Sequence, residues 1–304
     1  MNLKYVLFIS FVAALGGLLF GYDVAVISGT ITMVKNQFNL TTLESGWFVS
    51  CALLGSVIGV AFAGWLSDKF GRKRIMIVAA IFFIISGVGC ALANNITELI
   101  AYRIIGGVAI GIVSVTCPLY ISEISPTLYR GRMVSLYQLA VTIGFFAAYL
   151  VNYYLLLVSS TFVSSSFFLK KIIGDEVWRA MLGSGSLPAV LFLVVIFFIP
   201  ESPRWLILKD NIEKAKATFS RIYTSISKVN LQIEEILETL SGDKNRMRIL
   251  TEPGIKKAVL IGIAIAILGQ FMGVNAVLYY GPSIFNLQVY PKVILYSINR
   301  LSGW

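Results

Sequence analysis

The chain has 304 residues, of which 57% are hydrophobic and only 13% are charged, and its formal net charge is +10. A soluble domain of this length would carry roughly a quarter charged residues, so the composition indicates a membrane protein. Histidine is absent, which excludes a Ser-His-Asp triad and most zinc sites. The sequence also lacks the G-x-x-x-x-G-K-S/T phosphate loop of ATP-driven pumps. We therefore expect neither an enzyme nor a pump, and neither a cofactor nor a metal.

Seven apolar stretches are long enough to cross the roughly 30 Å hydrocarbon core of a bilayer, which takes about 20 helical residues. In chain order they are Val6–Val26, Gly46–Leu66, Ile75–Ala93, Leu99–Tyr120, Val134–Leu157, Met181–Ile199 and Ala258–Tyr280. We expect an all-α polytopic membrane protein in which each stretch is a transmembrane helix. Three of them contain the Gly-x-x-x-Gly spacing that lets helices approach closely in lipid. These pairs are Gly17/Gly21, Gly55/Gly59 and Gly107/Gly111.

The distribution of lysine and arginine predicts the orientation of the spans. Most of the 25 basic residues lie at the N-terminus and in the segments that follow the second, fourth and sixth spans. We therefore expect the N-terminus and the long segment after the sixth span to face the cytoplasm. The positive charge is a topology signal, so nucleic acid is not an expected partner.

The segment 200–257 is the only part with the composition of a soluble protein. Ser202 followed by Pro203 has the pattern of a helix N-cap with proline at the first helical position. Amphipathic patterns follow over Ile212–Tyr223 and Leu231–Leu240. They predict a small cytoplasmic helical bundle, and the alternative is a solvated linker.

Two ionisable residues lie inside apolar spans, Asp23 in the first and Arg103 in the fourth. At about 1.5 Å per residue, Asp23 lies roughly 25 Å from the inner end of its span and Arg103 roughly 6 Å from the outer end of its own. In a core of about 30 Å these depths agree, which predicts an Asp–Arg pair in the outer half of the bundle. The alternative is that each side chain reaches the outer interface separately, but aspartate is too short to do so well.

Such a pair has the chemistry of a proton switch. A carboxylate beside a guanidinium stays ionised, and a carboxylate that loses this partner in an apolar cavity takes up a proton. With no histidine in the chain, a carboxylate is the group that we expect to carry a proton across the membrane.

A series of motifs extends from the N-terminus to about Phe285. Its members are Gly16 to Asp23, Gly64 through Asp68 to Lys73, Arg103 with Gly106-Gly107, Pro118-x-Tyr120-x-x-Glu123, Arg130-Gly131-Arg132, Pro200 to Trp205, and Gln270, Gly273, Asn275 and Tyr279-Tyr280. This series resembles the sugar porter family of the major facilitator superfamily, in particular bacterial proton-coupled pentose and hexose symporters. The resemblance implies two six-helix halves and alternating access to a central sugar site, in a multi-pass protein of the bacterial inner membrane.

The resemblance also implies a division of the chain. Residues 1–199 would form the major facilitator-type N-terminal six-helix bundle, and residues 200–257 the cytoplasmic helical linker. Residues 258–285 would form the seventh helix, which begins a second bundle, and residues 286–304 an atypical tail.

Carried over position by position, the resemblance assigns roles to twelve residues. Asp23 matches the proton-coupling aspartate and Arg103 its partner. Phe20, Gln138, Gln270 and Asn275 match residues that line the sugar site, where amides both donate to and accept from sugar hydroxyls. For Gln138 the alternative is a hydrogen bond between helices. Asp68, Arg72, Glu123, Arg130, Glu201 and Arg204 match the cytoplasmic charge network that latches the two halves.

The sequence departs from the family pattern in two ways. Phe145 and Gly269 stand where many members have glutamines, so the identity of the sugar stays open. The family has twelve spans and this chain has seven, and residues 287–304 lose the resemblance.

Two hypotheses about function follow. The first is secondary transport of a monosaccharide together with a proton. Its expected partners are the sugar, the proton and membrane lipid, and the sequence does not predict the oligomeric state. The second is a truncated, non-transporting family member, sensor-like or a pseudogene product, since we expect that the isolated chain cannot cycle.

Overall fold

The computed structural model describes residues 2–161, 170–241, 253–273 and 275–281, and the regular elements within these ranges are helical. Seven helical stretches among them are long and apolar enough to cross a membrane. They are Leu3–Gly29, Thr42–Phe70, Arg72–Leu92, Ile96–Ile124, Arg130–Ser159, Val177–Ile196 and Ile255–Gly281. Each overlaps one of the seven predicted spans, so the prediction of an all-α polytopic membrane protein is confirmed.

The chain divides into two compact units, Met1–Asp243 and Lys244–Trp304. The helices of the first unit are α1 (Leu3–Val26), α2 (Ile31–Gln37), α3 (Thr42–Phe70), α4 (Arg72–Leu92), α5 (Ile96–Ile124), α6 (Arg130–Thr161), α7 (Val177–Ser184), α8 (Ser186–Ile196), α9 (Pro203–Leu208), α10 (Ile212–Ile222) and α11 (Ile226–Ser241). The helix α12 (Pro253–Phe271) belongs to the second unit. The sixth span is therefore α7 and α8 joined at Gly185.

Glycines form the seam between α3 and α5. Gly55 and Gly59 on α3 face Gly107 and Gly111 on α5. A Cβ atom at Gly107 would overlap the carbonyl oxygen of Ala52, so a larger residue would force the two backbones apart. Close backbone approach lets dispersion forces hold helices together in lipid, where burial of apolar side chains gives no gain.

The Gly-x-x-x-Gly pair of α1 forms a second close seam. A Cβ atom at Gly17 would overlap the Tyr137 carbonyl on α6, and one at Gly21 would overlap the Val141 carbonyl. From the α6 side, Gly144 meets the Leu18 carbonyl in the same way. All three predicted glycine pairs therefore lie in helix contacts.

We call the end of the first unit where α3 ends and α4 begins the basic end, after Lys69, Arg72, Lys73 and Arg74. The short helices α9 to α11 pack here. The indole nitrogen of Trp205 donates to the Asp68 carbonyl at 2.9 Å, and the backbone N–H of Asn2 donates to the Ile222 carbonyl at 2.8 Å. The segment 200–257, predicted as a helical bundle, is thus helical over α9 to α11, and these helices belong to the same compact unit as the first six spans.

A buried arginine ties together the opposite end of the first unit. Arg179 lies at the start of α7 and donates from Nη1 to the carbonyls of Ala91 and Ala93, at the C-terminal end of α4. It also pairs with Glu176. A cation at this end of a helix satisfies carbonyls that lack intrahelical partners. Nothing in the local sequence marks Arg179 as a helix cap, so this structural role could not be predicted.

Candidate functional site

Asp23 and Arg103 form a buried ion pair between α1 and α5. Arg103 Nη1 lies 2.8 Å from Asp23 Oδ2, and the exposed fractions of the two side chains are 2% and 18%. The structure therefore brings together the two residues whose depths matched in the sequence. The pair lies within apolar spans, where an isolated charge would cost several kcal/mol.

A glycine lies beside the carboxylate. A Cβ atom at Gly106 on α5 would lie 3.7 Å from Asp23 Oδ1 and 2.5 Å from Ser86 Oγ on α4. Asp23 also lines a cavity of about 10 Å³, which is room for roughly one water molecule. The other lining residues are Leu19, Tyr22, Phe83, Gly87, Leu182 and Gly185. The carboxylate therefore has a guanidinium on one side and a small cavity beside it.

Tyr22, the neighbour of Asp23, connects α1 to the sixth span. Its hydroxyl lies 2.6 Å from Ser184 Oγ at the end of α7. This contact was missed by sequence reasoning, because Tyr22 and Ser184 are 162 positions apart and neither is unusual in its local sequence. It places Gly185, where α7 ends and α8 begins, beside the cavity.

Two of the predicted sugar-binding residues lie in the first unit. Phe20 is half-buried on α1, and its spacing of three residues from Asp23 puts both on one face of the helix. Gln138 is exposed on α6, and its carbonyl accepts a hydrogen bond from Thr142 Oγ1 at 3.1 Å. The side chain of Phe145, which replaces a family glutamine, is half-buried on the same helix.

The other two predicted sugar-binding residues lie in the second unit and contact each other. Asn275 Nδ2 donates to Gln270 Oε1 at 3.3 Å. Gly273 lies between them with a φ of +72°, a left-handed conformation that ends α12 before the helical stretch 275–281. Discontinuous spans often form binding sites in transporters, because the break frees polar backbone groups within the membrane.

Arg72 organises a cluster of charges at the basic end. Its Nε and Nη2 donate to the two carboxylate oxygens of Glu123 at 3.0 and 2.9 Å. Asp68 Oδ1 lies 3.0 Å from Nη2, and the Ser67 carbonyl accepts from Nη1 at 3.0 Å. The two-bond contact of an arginine with a carboxylate is strong and directional. It joins the start of α4 to the end of α5.

Glu201 extends this cluster to the segment after the sixth span. Its Oε1 accepts from the backbone N–H groups of Arg72 and Lys73 at 3.0 Å each, and from that of Ser202 at 2.9 Å. A carboxylate at the N-terminus of α4 satisfies free N–H groups and lies favourably in the helix dipole. Ser202 Oγ donates in turn to Glu123. We call Asp68, Arg72, Glu123, Glu201 and Ser202 the basic-end cluster.

The remaining two predicted network residues lie outside the basic-end cluster. Arg130 at the start of α6 and Arg204 on α9 are exposed, and within the described ranges neither forms an ion pair. On α9 the buried residues are Pro203, Leu206 and Ile207, so the helix turns Arg204 away from the bundle. The structure thus gathers four of the six predicted residues and adds Ser202, which the sequence marked only as a helix cap.

Comparisons with known proteins agree with the resemblance to sugar porters that the motifs predicted. The family model "Sugar (and other) transporter" matches residues 9–299, including most of the segment 286–304 that lacks the family's motifs. The galactose-proton symporter of Escherichia coli (strain K12) is 36% identical over 290 residues, which are 95% of this chain and 59% of that protein. The glucose transporter GlcP of Staphylococcus epidermidis is 39% identical over 282 residues, 93% of this chain and 59% of its own length.

A solved structure is similar over nearly the whole chain. The proton:xylose symporter XylE bound to 6-bromo-6-deoxy-D-glucose matches with a TM-score of 0.82 and 35% identity, over 98% of this chain and 66% of that one. The chain spans about three-fifths of the length of the curated relatives named above.

Proposed function

This chain belongs to the sugar (and other) transporter family, and we propose that it serves secondary transport of a monosaccharide across the bacterial inner membrane, coupled to a proton. The relatives support this class of activity, since one is named a galactose-proton symporter and another a glucose transporter. The proposed orientation places the basic end in the cytoplasm, following the excess of lysine and arginine there.

The buried Asp23–Arg103 pair carries the proposal of proton coupling. In the structure the Asp23 carboxylate lies 2.8 Å from the Arg103 guanidinium. A rearrangement of α1 against α5 that separates the two would leave the carboxylate in an apolar cavity, where the protonated form is favoured. Asp23 is the proposed proton carrier and Arg103 the group that displaces the proton when the pair forms again.

The sugar is proposed to bind next to this switch. Phe20 lies one helical turn from Asp23, so its ring can pack on the apolar face of a sugar while the helix also carries the proton. In the first unit Gln138 would supply a neutral donor and acceptor for sugar hydroxyl groups, and in the second unit Gln270 and Asn275 would do the same. The contact between Gln270 and Asn275 at the helix break supports their acting as one polar patch. Because α1 carries both Phe20 and Asp23, sugar binding would be coupled to the protonation of Asp23.

The test is uptake by the purified chain in proteoliposomes, measured for a panel of radiolabelled sugars with and without an inward proton gradient. Proton-coupled transport by this chain predicts accumulation that a protonophore abolishes, and the alternative of a non-transporting chain predicts none. The Asp23→Asn variant is expected to lose gradient-driven accumulation and to keep sugar exchange, because the amide cannot change charge. Asp210→Asn is the matched control, since Asp210 is exposed with a φ of +56° that asparagine also tolerates.

A different result would contradict each part of the proposal. Uphill uptake that persists in Asp23→Asn would show that another group carries the proton. Loss of both uptake and exchange in that variant would assign Asp23 to sugar binding or folding instead. The absence of sugar uptake by the unaltered chain for the whole panel would contradict transport.

A further inference from the structure

A pocket that takes no part in the proposed transport site lies at the basic end. It is enclosed by the first turns of α4, the end of the sixth span, α9 and the start of α10, and its volume is about 480 Å³. Four cationic side chains line it: Lys73, Arg74, Lys209 and Lys214. Volume and charge together indicate a site for an anion larger than a single ion.

The positive charge of this pocket is not balanced by its own carboxylate. Glu201 also lines the pocket, but its Oε1 already accepts three backbone N–H bonds. Lys73 Nζ donates to the Phe197 carbonyl at 2.9 Å. Arg74, Lys209 and Lys214 are exposed, and no carboxylate among the described residues pairs with them. These three cations are therefore available to an outside anion.

The walls of the pocket are apolar and continue onto the surface of the spans. Ile77 lies on α4, and Phe197 at the end of the sixth span is 60% exposed. Trp205 completes the wall, with Lys209 Nζ 6.0 Å from the centre of its ring. A free phosphate ion has no apolar part that could pack against these walls. An amphiphile would place its charged group on the cations and its first acyl carbons on Ile77 and Phe197.

We propose that this pocket binds the phosphodiester headgroup of an anionic phospholipid. Arg74, Lys209 and Lys214 would contact the phosphate, because basic pockets at the cytoplasmic ends of membrane helices attract anionic headgroups. The bound lipid would bridge α4, α9 and α10, the elements that also meet around Glu201. It would therefore stabilise the basic-end cluster. The proposal requires that the spans lie in a membrane but not that the chain moves a sugar.

The test compares phosphatidylglycerol with phosphatidylcholine binding to the purified full chain, by native mass spectrometry and by titration in mixed micelles. We expect selective binding of phosphatidylglycerol. The triple variant Arg74→Gln, Lys209→Gln, Lys214→Gln is expected to weaken it roughly fivefold for each cation, hence on the order of a hundredfold. The charge-retaining variant Lys209→Arg, Lys214→Arg is expected to bind as the unaltered chain does.

A second triple variant separates this site from general attraction to the basic end. Arg132, Lys216 and Lys228 are exposed cations outside the pocket, and replacing them with glutamine removes the same charge. An equal loss of binding in both triple variants would overturn the proposal, as would equal binding of the two lipids. Inorganic phosphate or glycerol phosphate that competes as strongly as the lipid would assign the pocket to a soluble phosphate and also overturn it. Circular dichroism of each variant checks that the helices are retained.

Discussion

Two of the buried arginines of the first unit, Arg72 and Arg103, lie in different surroundings. Arg72 is held at the basic end by both oxygens of Glu123, by Asp68 and by the Ser67 carbonyl. Arg103 meets Asp23 in the half of the bundle away from the basic end, where the carboxylate also borders a cavity with room for one water. Both side chains are almost fully buried, so burial alone does not distinguish them.

The difference lies in what holds each carboxylate. Glu123 is 5% exposed and is fixed by Arg72 and by Ser202 Oγ, while Glu201 ties the same cluster to the main chain of α4. Moving Arg72 would therefore break several hydrogen bonds at once. For Asp23 we expect that a water in the cavity beside it can replace the guanidinium. The comparison suggests a structural tie at the basic end and an exchangeable pair within the bundle.

The largest expected effect is on stability at the basic end. Arg72→Met keeps much of the side-chain volume but leaves the buried Glu123 carboxylate without its cation. We expect a loss of about 3–5 kcal/mol in the free energy of unfolding, the usual cost of breaking a buried ion pair from one side. Unfolding in mixed micelles of mild detergent and dodecyl sulfate measures it.

Arg204→Met is the matched control for Arg72→Met. It makes the same change at an exposed position near the cluster, and its effect should lie within about 0.5 kcal/mol. Equal losses in the two variants would mean that the hydrogen bonds around Arg72 do not stabilise the unit.

Much of this arrangement follows from the sequence, because the membrane restricts the possibilities. Backbone groups in lipid must be satisfied within helices, so seven apolar stretches predict seven spans. Counting residues along two antiparallel spans was enough to pair Asp23 with Arg103. The glycine spacing of α3 and α5 predicted that each approaches a neighbouring helix closely, but not that the two face each other.

Features that depend on tertiary contacts were not predictable in this way. Arg179 resembles any loop arginine in the sequence, and only the position of the α4 C-terminus makes it a buried cap. Arg130 and Arg204 have the residue type of the predicted network but not its geometry. The Tyr22–Ser184 contact depends on the position of the helix break at Gly185 in the sixth span. The tertiary contacts of such polar groups are set by neighbours far away in the chain.

The next effect concerns the α3–α5 seam, which lies one helical turn from Arg103. Gly107→Ala would bring a Cβ atom against the Ala52 backbone, which cannot rotate away, and we expect a loss of about 1–3 kcal/mol. Gly106→Ala is the control on the same helix, because its nearest neighbour is the Ser86 hydroxyl, which can rotate. A loss below about 1 kcal/mol is expected there. The reverse order, measured by unfolding in mixed micelles, would mean that the space beside Asp23 limits packing more than the seam does.

The smallest expected effect on stability is the most informative for comparing the Arg72 cluster with the Asp23–Arg103 pair. Asp23→Asn keeps an oxygen that accepts from Arg103 Nη1 but removes the negative charge. The hydrogen bond from the guanidinium to the amide keeps one ionised partner, so we expect the loss of the second charge to cost about 1 kcal/mol, the order of one net hydrogen bond. The neighbouring cavity can supply a water to the guanidinium. We therefore expect unfolding to be affected far less than in Arg72→Met. A loss equal to that of Arg72→Met would make Asp23 a structural tie like Glu123. A carboxylate that the fold cannot release from its cation could not alternate between charged and protonated forms during each cycle.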